Sequence, residues 1–268
     1  MPLRALMPAA LAAALLLTLP LRLLAQNWER DPTFTPPVFE SYIPTDSPRF
    51  GIAPLADGRV LVAKDRHFAN GRRTPALLRI NADGSIDPGF SAAATLTGVV
   101  RILLAYPDGR VLVTDDSRQL FRLLSTGALD PAFAVTPLDA GFGVNAARTP
   151  TGRVWIWGTF RTGATDARLA LLKADGGWDE RFPILDLTRI QVNDALVHSE
   201  EALTVAATSS LTRATLFRIT ASGAIDATFD ASSTFPGTDA SRPEVIARQA
   251  DGSLIAAGSR RAWRILPG

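Results

Sequence analysis

Asp194 and Glu244 are the chain's candidates for acid–base work. Glycoside hydrolysis needs two carboxyl groups facing each other across a bond. One protonates the leaving oxygen, and the other attacks the sugar or activates water. Five repeated units run through the chain. Set in register on their hairpin turns, they place Phe50, Arg101, Val144, Asn193 and Glu244 at one level, with Asp194 beside it. On that level Asp194 and Glu244 are the candidate catalytic pair, and Arg101 and Asn193 the candidate binding residues. The competing reading is the polar mouth of a water-filled channel. It is favoured, because few of these positions carry charge.

Other chemistry finds little support. His67 and His198 are the only histidines and fall in different repeats. With no cysteine, thiol catalysis, disulfides and zinc–thiolate sites are excluded. No nucleophile elbow, zinc-protease helix or phosphate-cradling loop occurs. Asp115 and Asp116 in "TDDSRQ" lack the alternating oxygen ligands of a calcium loop and read as a turn. Neither a metal nor a cofactor is expected. Trp155 and Trp157 in "WIWG" share one strand face and would stack on sugars if exposed. They occupy framework slots of the strand that reads "RVLV" in other repeats, so packing is the stronger reading.

Composition narrows the partners. The chain has 268 residues, is 47% hydrophobic and carries a formal charge of +2. Its basic residues are nearly all arginine, with Lys64 and Lys173 the exceptions, and they are scattered among acids. No basic stripe marks a nucleic-acid groove, so nucleic acid is not expected as a partner.

The elements that position these residues are repeats. "LADGRVLV" at 55–62 returns as "YPDGRVLV", "TPTGRVWI" and "QADGSLIA", with a degenerate "HSEEALTV" at 198–205. Each is a hairpin turn entering a strand. An apolar strand with a basic or polar insert follows: "ALLRI", "LFRLL", "LALLK", "LFRIT", "AWRIL". Then comes Gly-x-[Ile/Leu]-Asp-x-x-Phe, at Asp87 and Phe90, Asp130 and Phe133, and Asp226 and Phe229. A weak copy holds Asp179 and Phe182. A period near 43–51 residues with four short strands predicts an all-β fold, a β-propeller of five four-stranded antiparallel blades. The strands are apolar on both faces, as stacked blades require. The recurring Asp reads as a turn lock that accepts backbone N–H groups, and the Phe as an anchor on the neighbouring blade.

The ends complete the pattern. Residues 1–25 read as a secretory signal peptide: Arg4, an apolar stretch, then Ala25. The remaining 26–268 read as one domain with no later membrane span, exported to the periplasm, cell surface or medium. "QNWERDPTF" is a motif copy, Asp31 to Phe34, without its strands, and "RRAWRILPG" is a set of strands without its motif. Together they make the fifth repeat and would close the ring, leaving no open sheet edge. The alternatives are an open array or part of a larger ring.

"LLRINADGSIDPGF" followed by "YPDGRVLV" resembles the delta-60 repeat of exported bacterial β-propeller-type proteins, over residues 27–268. That resemblance implies a binding or scaffold module without assigned chemistry. The expected protein is monomeric and takes a protein or carbohydrate ligand that the sequence does not name. A carbohydrate-active propeller enzyme and a lectin-like module are the alternatives.

Overall fold

The computed structural model describes residues 32–35, 39–40, 50–64, 68–69, 72–73, 75–134, 136–140, 144–162, 165–182, 190–199, 202–209, 215–220, 222–229, 243–258 and 262–266. The segment read as a signal peptide, Asp31, His67 and the Glu200-Glu201 turn lie outside them. Two compact units are present, Met1–Phe34 and Thr35–Gly268. In the first, Pro32, Thr33 and Phe34 are exposed.

The second unit is built of strands, and no helix occurs among its described residues. Its first repeat holds β1 (Phe39–Glu40), β2 (Phe50–Pro54), β3 (Val60–Lys64), β4 (Phe68–Ala69), β5 (Arg72–Arg73) and β6 (Leu77–Ile80). The second holds β7 (Arg101–Ala105), β8 (Val111–Thr114), β9 (Gln119–Leu123) and β10 (Thr136–Pro137). The third holds β11 (Asp139–Ala140), β12 (Asn145–Arg148), β13 (Val154–Thr162) and β14 (Thr165–Leu172). The fourth holds β15 (Ile190–Val197), β16 (Ala202–Ser209) and β17 (Thr215–Thr220), and the fifth β18 (Val245–Arg248), β19 (Leu254–Ala257) and β20 (Ala262–Ile265).

Five antiparallel meanders result: β2-β3-β6, β7-β8-β9, β12-β13-β14, β15-β16-β17 and β18-β19-β20, here sheets 1 to 5. β10 adds a two-residue fourth strand to sheet 2, and β11 extends the inner edge of β13. A small separate sheet joins β1 to the β4–β5 hairpin. The first strands of successive sheets pack in order, β2 on β7, β7 on β12, β12 on β15 and β15 on β18.

Where four full strands per unit are expected, each sheet has three main strands among the described residues, and the reason is local. After the third strand the chain makes a single bridge, Ile80 to Ile86, Leu123 to Leu129, Leu172 to Trp178 or Ile219 to Ile225. The motif Asp follows at once and takes a backbone N–H onto its side chain, so the ladder stops. Pro88 and Pro131, without N–H groups, reinforce the stop in two copies. The Asp-Gly hairpins use a longer connection than a two-residue turn. Leu55 and Arg59 close the loop, and only Gly58 has positive φ, +83°. That is a type I turn with a glycine bulge.

Strand faces alternate between seams. In β8, Val111 and Val113 pack toward sheet 1 with Leu61, Ala63 and Leu77, while Leu112 packs toward sheet 3 with Val154 and Ile156. In β13, Trp155 and Trp157 face the opposite way, onto Leu203 and Val205 of sheet 4. Ala206 of sheet 4 meets Ile246, Leu254 and Ala256 of sheet 5. Four corner phenylalanines join the seam ahead of them: Phe90 between sheets 1 and 2, Phe133 between 2 and 3, Phe182 between 3 and 4, Phe229 between 4 and 5. Among the described residues no such core joins sheet 5 to sheet 1, and Ile52 and Val245 are exposed.

Candidate functional site

The recurring aspartate sits in a built corner. Asp87 accepts the N–H of Gly89 at 2.7 Å, Asp130 that of Ala132 at 2.9 Å, Asp179 that of Arg181 at 3.2 Å and Asp226 that of Thr228 at 2.9 Å. The second oxygen of each meets arginine. Arg79 reaches Asp87 through Nε at 2.7 Å, and Arg122 reaches Asp130 in the same way at 2.7 Å. These arginines lie eight residues before their aspartates, on the third strand of each sheet. The guanidinium also stacks on the corner ring, Arg79 on Phe90, Arg122 on Phe133 and Arg218 on Phe229. It then reaches forward across the seam, where Arg79 donates to the Ser125 carbonyl and Arg122 to the Ala174 carbonyl at 2.6 Å.

The third copy departs from this plan. Leu171 stands where the arginine should be. Asp179 is served instead by Arg181 at 2.9 Å and by Arg153, from the hairpin turn, at 3.2 Å. Arg59 makes the same hairpin-turn contact with Asp87. All four carboxyls are held below the ordinary range. For Asp87 the Gly89 N–H leads, joined by Arg79 and Arg59. For Asp130 burial opposes, and the Ala132 N–H and Arg122 outweigh it. Arg181 leads for Asp179 and Thr228 for Asp226.

The channel candidates divide. Asn193 sits at a bulge in β15 and donates to Thr208 Oγ1 at 2.9 Å and to the Pro243 carbonyl at 3.0 Å. Asp194 accepts the N–H of Ala195 and that of Ile246, both at 2.8 Å. Both side chains stitch sheet 4 to the backbone of sheet 5, on either side of Glu244. Glu244 is exposed, and its own N–H bonds the Ala257 carbonyl. Arg101 opens β7 in sheet 2 and pairs with Thr114. The structure therefore brings Asn193, Asp194 and Glu244 to one seam, with the first two side chains engaged by main chain and Arg101 in another sheet.

Asp115 is buried and accepts N–H and hydroxyl groups from both Thr97 and Ser117, while Asp116 accepts the Val99 N–H. These bonds hold a loop. Among the described residues no group of three or more His, Asp or Glu side chains could hold a metal. Trp155 and Trp157 are buried in the sheet 3–sheet 4 seam, Trp155 edge-on to Phe182 at 4.6 Å between centroids. No helix among the described residues is long and apolar enough to cross a membrane.

His198 closes the degenerate hairpin of sheet 4, its Nε2 2.6 Å from Thr204 Oγ1. Burial, with Arg218 and Arg248, lowers its pKa below the usual 6.5. A lowered histidine pKa means the unfolded chain binds the proton more readily. The stability it confers is complete above the unfolded value, about 6.5, and is lost as pH falls through the folded one. Melting curves of the parent and His198→Gln should therefore differ by a constant amount above about pH 7 and converge as pH falls below 6.5. A difference that does not change with pH would show that His198 is charged alike in both states.

Residues 55–90 match the model of a family described as a domain of unknown function (DUF5122) beta-propeller. No curated protein sequence matches the chain. Among solved structures it is similar to the extracellular domain of BT4673 from B. thetaiotaomicron, with 12% identity and a TM-score of 0.47, over 85% of this chain and 33% of that one. It is also similar to BamB from Moraxella catarrhalis, with 14% identity and a TM-score of 0.39, over 85% and 78%. YCF48 from Cyanidioschyzon merolae shows 9% identity and a TM-score of 0.33, over 87% and 98%. The chain spans about a third of the BT4673 domain.

Proposed function

We propose that the protein is an exported, non-enzymatic β-propeller that serves as a binding or scaffold module. The observation that carries this reading is the use made of its acids. The four described motif aspartates and Asp194 are bonded to backbone N–H groups, and the motif set to arginines as well, so these carboxylates hold corners and seams. The proposal includes five blades of delta-60 type, a signal peptide at 1–25, and a monomeric domain at 26–268 in the periplasm, on the surface or outside the cell. Its ligand is a protein or a carbohydrate.

It also includes ring closure by the segment around Asp31 and Phe34. Thr35 donates its N–H to the Asp83 carbonyl at 2.9 Å, as Ser91 does to Thr126 and Ala134 to Asp175. Thr35 thus meets a turn of sheet 1 as Ser91 and Ala134 meet the equivalent turns of sheets 2 and 3. The exposed Ile52 and Val245 faces are the surfaces that closure would cover.

One observation favours the carbohydrate-enzyme reading: Glu244 is exposed beside Asp194. The test is an assay of residues 26–268 on plant and bacterial polysaccharides, with Glu244→Gln in parallel. We expect binding without turnover. Turnover that Glu244→Gln abolishes would overturn the module reading.

A further inference from the structure

We propose that the seam between sheets 2 and 3 binds an oxyanion, a carboxylate, phosphate or sulfate group, through Arg148, and that the seam between sheets 4 and 5 carries the equivalent site at Arg248. This rests on the binding-module reading and names the chemistry of its ligand.

Tyr106 is the anchor. It follows β7 of sheet 2 and is 3% exposed. Three guanidiniums surround its ring, Arg110 at 5.4 Å, Arg148 at 5.8 Å and Arg122 at 5.9 Å from the centroid. Two are committed. Arg110 pairs with Asp108 at 2.8 Å, and Arg122 with Asp130 at 2.7 Å and the Ala174 carbonyl. The side chain of Arg148, the last residue of β12, makes no hydrogen bond or ion pair among the described residues, and the residue is exposed. Three cations thus meet two carboxylates around one buried ring, and the cation left over is the most exposed of the three. Like charges so close repel unless an anion joins them. A guanidinium beside an aromatic ring also keeps a rigid fork of N–H donors suited to a bidentate oxyanion.

The repeats reproduce this arrangement once more. The residues just before the hairpin turns are Pro54, Ala105, Arg148, Val197 and Arg248, and the turns open with Leu55, Tyr106, Thr149, His198 and Gln249. The turn register is fixed by the bonds Leu55 to Arg59, Tyr106 to Arg110, Thr149 to Arg153, His198 to Ala202 and Gln249 to Ser253. An arginine in this slot therefore occurs in sheets 3 and 5, and the turn of the sheet before opens with a ring residue, Tyr106 or His198. Tyr106, Arg122 and Arg148 correspond to His198, Arg218 and Arg248. The seam between sheets 1 and 2 has Leu55 and Ala105 in these places, and that between sheets 3 and 4 has Thr149, Leu171 and Val197. In the second site Arg218 is loosely held. It stands 3.6 Å from Asp226, and its buried Nε has no hydrogen-bond partner. The side chain of Arg248 makes no hydrogen bond or ion pair among the described residues, and the residue is exposed.

The test is nitrogen–proton NMR of the arginine Nε–H groups in residues 26–268, titrated at constant ionic strength with inorganic phosphate, sulfate and glutarate. Saturable shifts are expected at Arg148 and Arg248, and the anion that saturates first names the source. Arg148→Gln should weaken the first site about tenfold or more, the loss expected for a charged hydrogen-bonded contact, and leave the Arg248 response intact. Non-saturating shifts equal to those at the surface residue Arg161 would overturn the proposal. So would an Arg148→Gln protein that binds phosphate as the parent does. Polysaccharide turnover sinks the module reading, whereas unresponsive arginines sink only the anion sites.

Discussion

Asp130→Ala is expected to cost about 3–5 kcal/mol, the usual penalty for removing one partner of a buried ion pair. The side chains of Arg122 and Asp130 are only 6% and 5% exposed. Removing the carboxylate strands the guanidinium against Phe133 with only the Ala174 carbonyl as a close acceptor. It also frees the Ala132 N–H. For a domain of this size the loss corresponds to a fall in melting temperature of roughly 6–20 °C. Asp226→Ala should fall much less, because its partner Arg218 is 3.6 Å away and a third exposed. Arg122→Leu makes the complementary test, since Leu171 already fills that slot in sheet 3. The double substitution Arg122→Leu/Asp130→Ala should cost less than the sum of the two single changes, because no charge is then left unpaired. An Asp130→Ala protein that melts within a degree of the parent would show that the corner is held by its backbone bonds alone.

The repeat was legible because it is spelled in residues with few backbone choices. Asp-Gly before an apolar run fixes a hairpin, and every such turn lies where the spacing puts it. Two-faced burial was legible in "RVLV", whose neighbouring residues enter opposite seams. The strand count was not. "SIDPGF" has apolar residues enough for a strand, but one bridge forms before the aspartate side chain captures the backbone. The partner of that aspartate was visible only as a basic insert. An arginine eight residues earlier cannot be paired with it until the tight turn folds the third strand back on the corner. For the candidate carboxylate pair, turn register names a level in the repeat and says nothing of where a side chain points; Asp194 turns to the Ile246 N–H.

Gly127→Ala is expected to be far more damaging than Gly58→Ala, although the two glycines share a backbone conformation. Gly127 has φ of +90° and Gly58 +83°. Alanine in that region costs about 1–2 kcal/mol from its Cβ alone. At Gly58 nothing lies within 4 Å of the added carbon, so that cost is the whole effect. At Gly127 the carbon would lie 2.4 Å from the carbonyl oxygen of Ser91, in the segment leaving the preceding corner. That oxygen belongs to main chain tied down on both sides, Ser91 to Thr126 and Ala93 to Gly127. The clash therefore moves the seam, at about 1–3 kcal/mol beyond the conformational term. Gly84 and Gly176 occupy the same place in sheets 1 and 3, against Thr35 and against Phe133 and Ala134. Alanine at either should resemble Gly127→Ala. Denaturant midpoints for the four variants give the comparison directly. Equal losses at Gly58 and Gly127 would mean the corner segments do not press on the turns ahead of them, and the seams would then be held by their apolar faces alone.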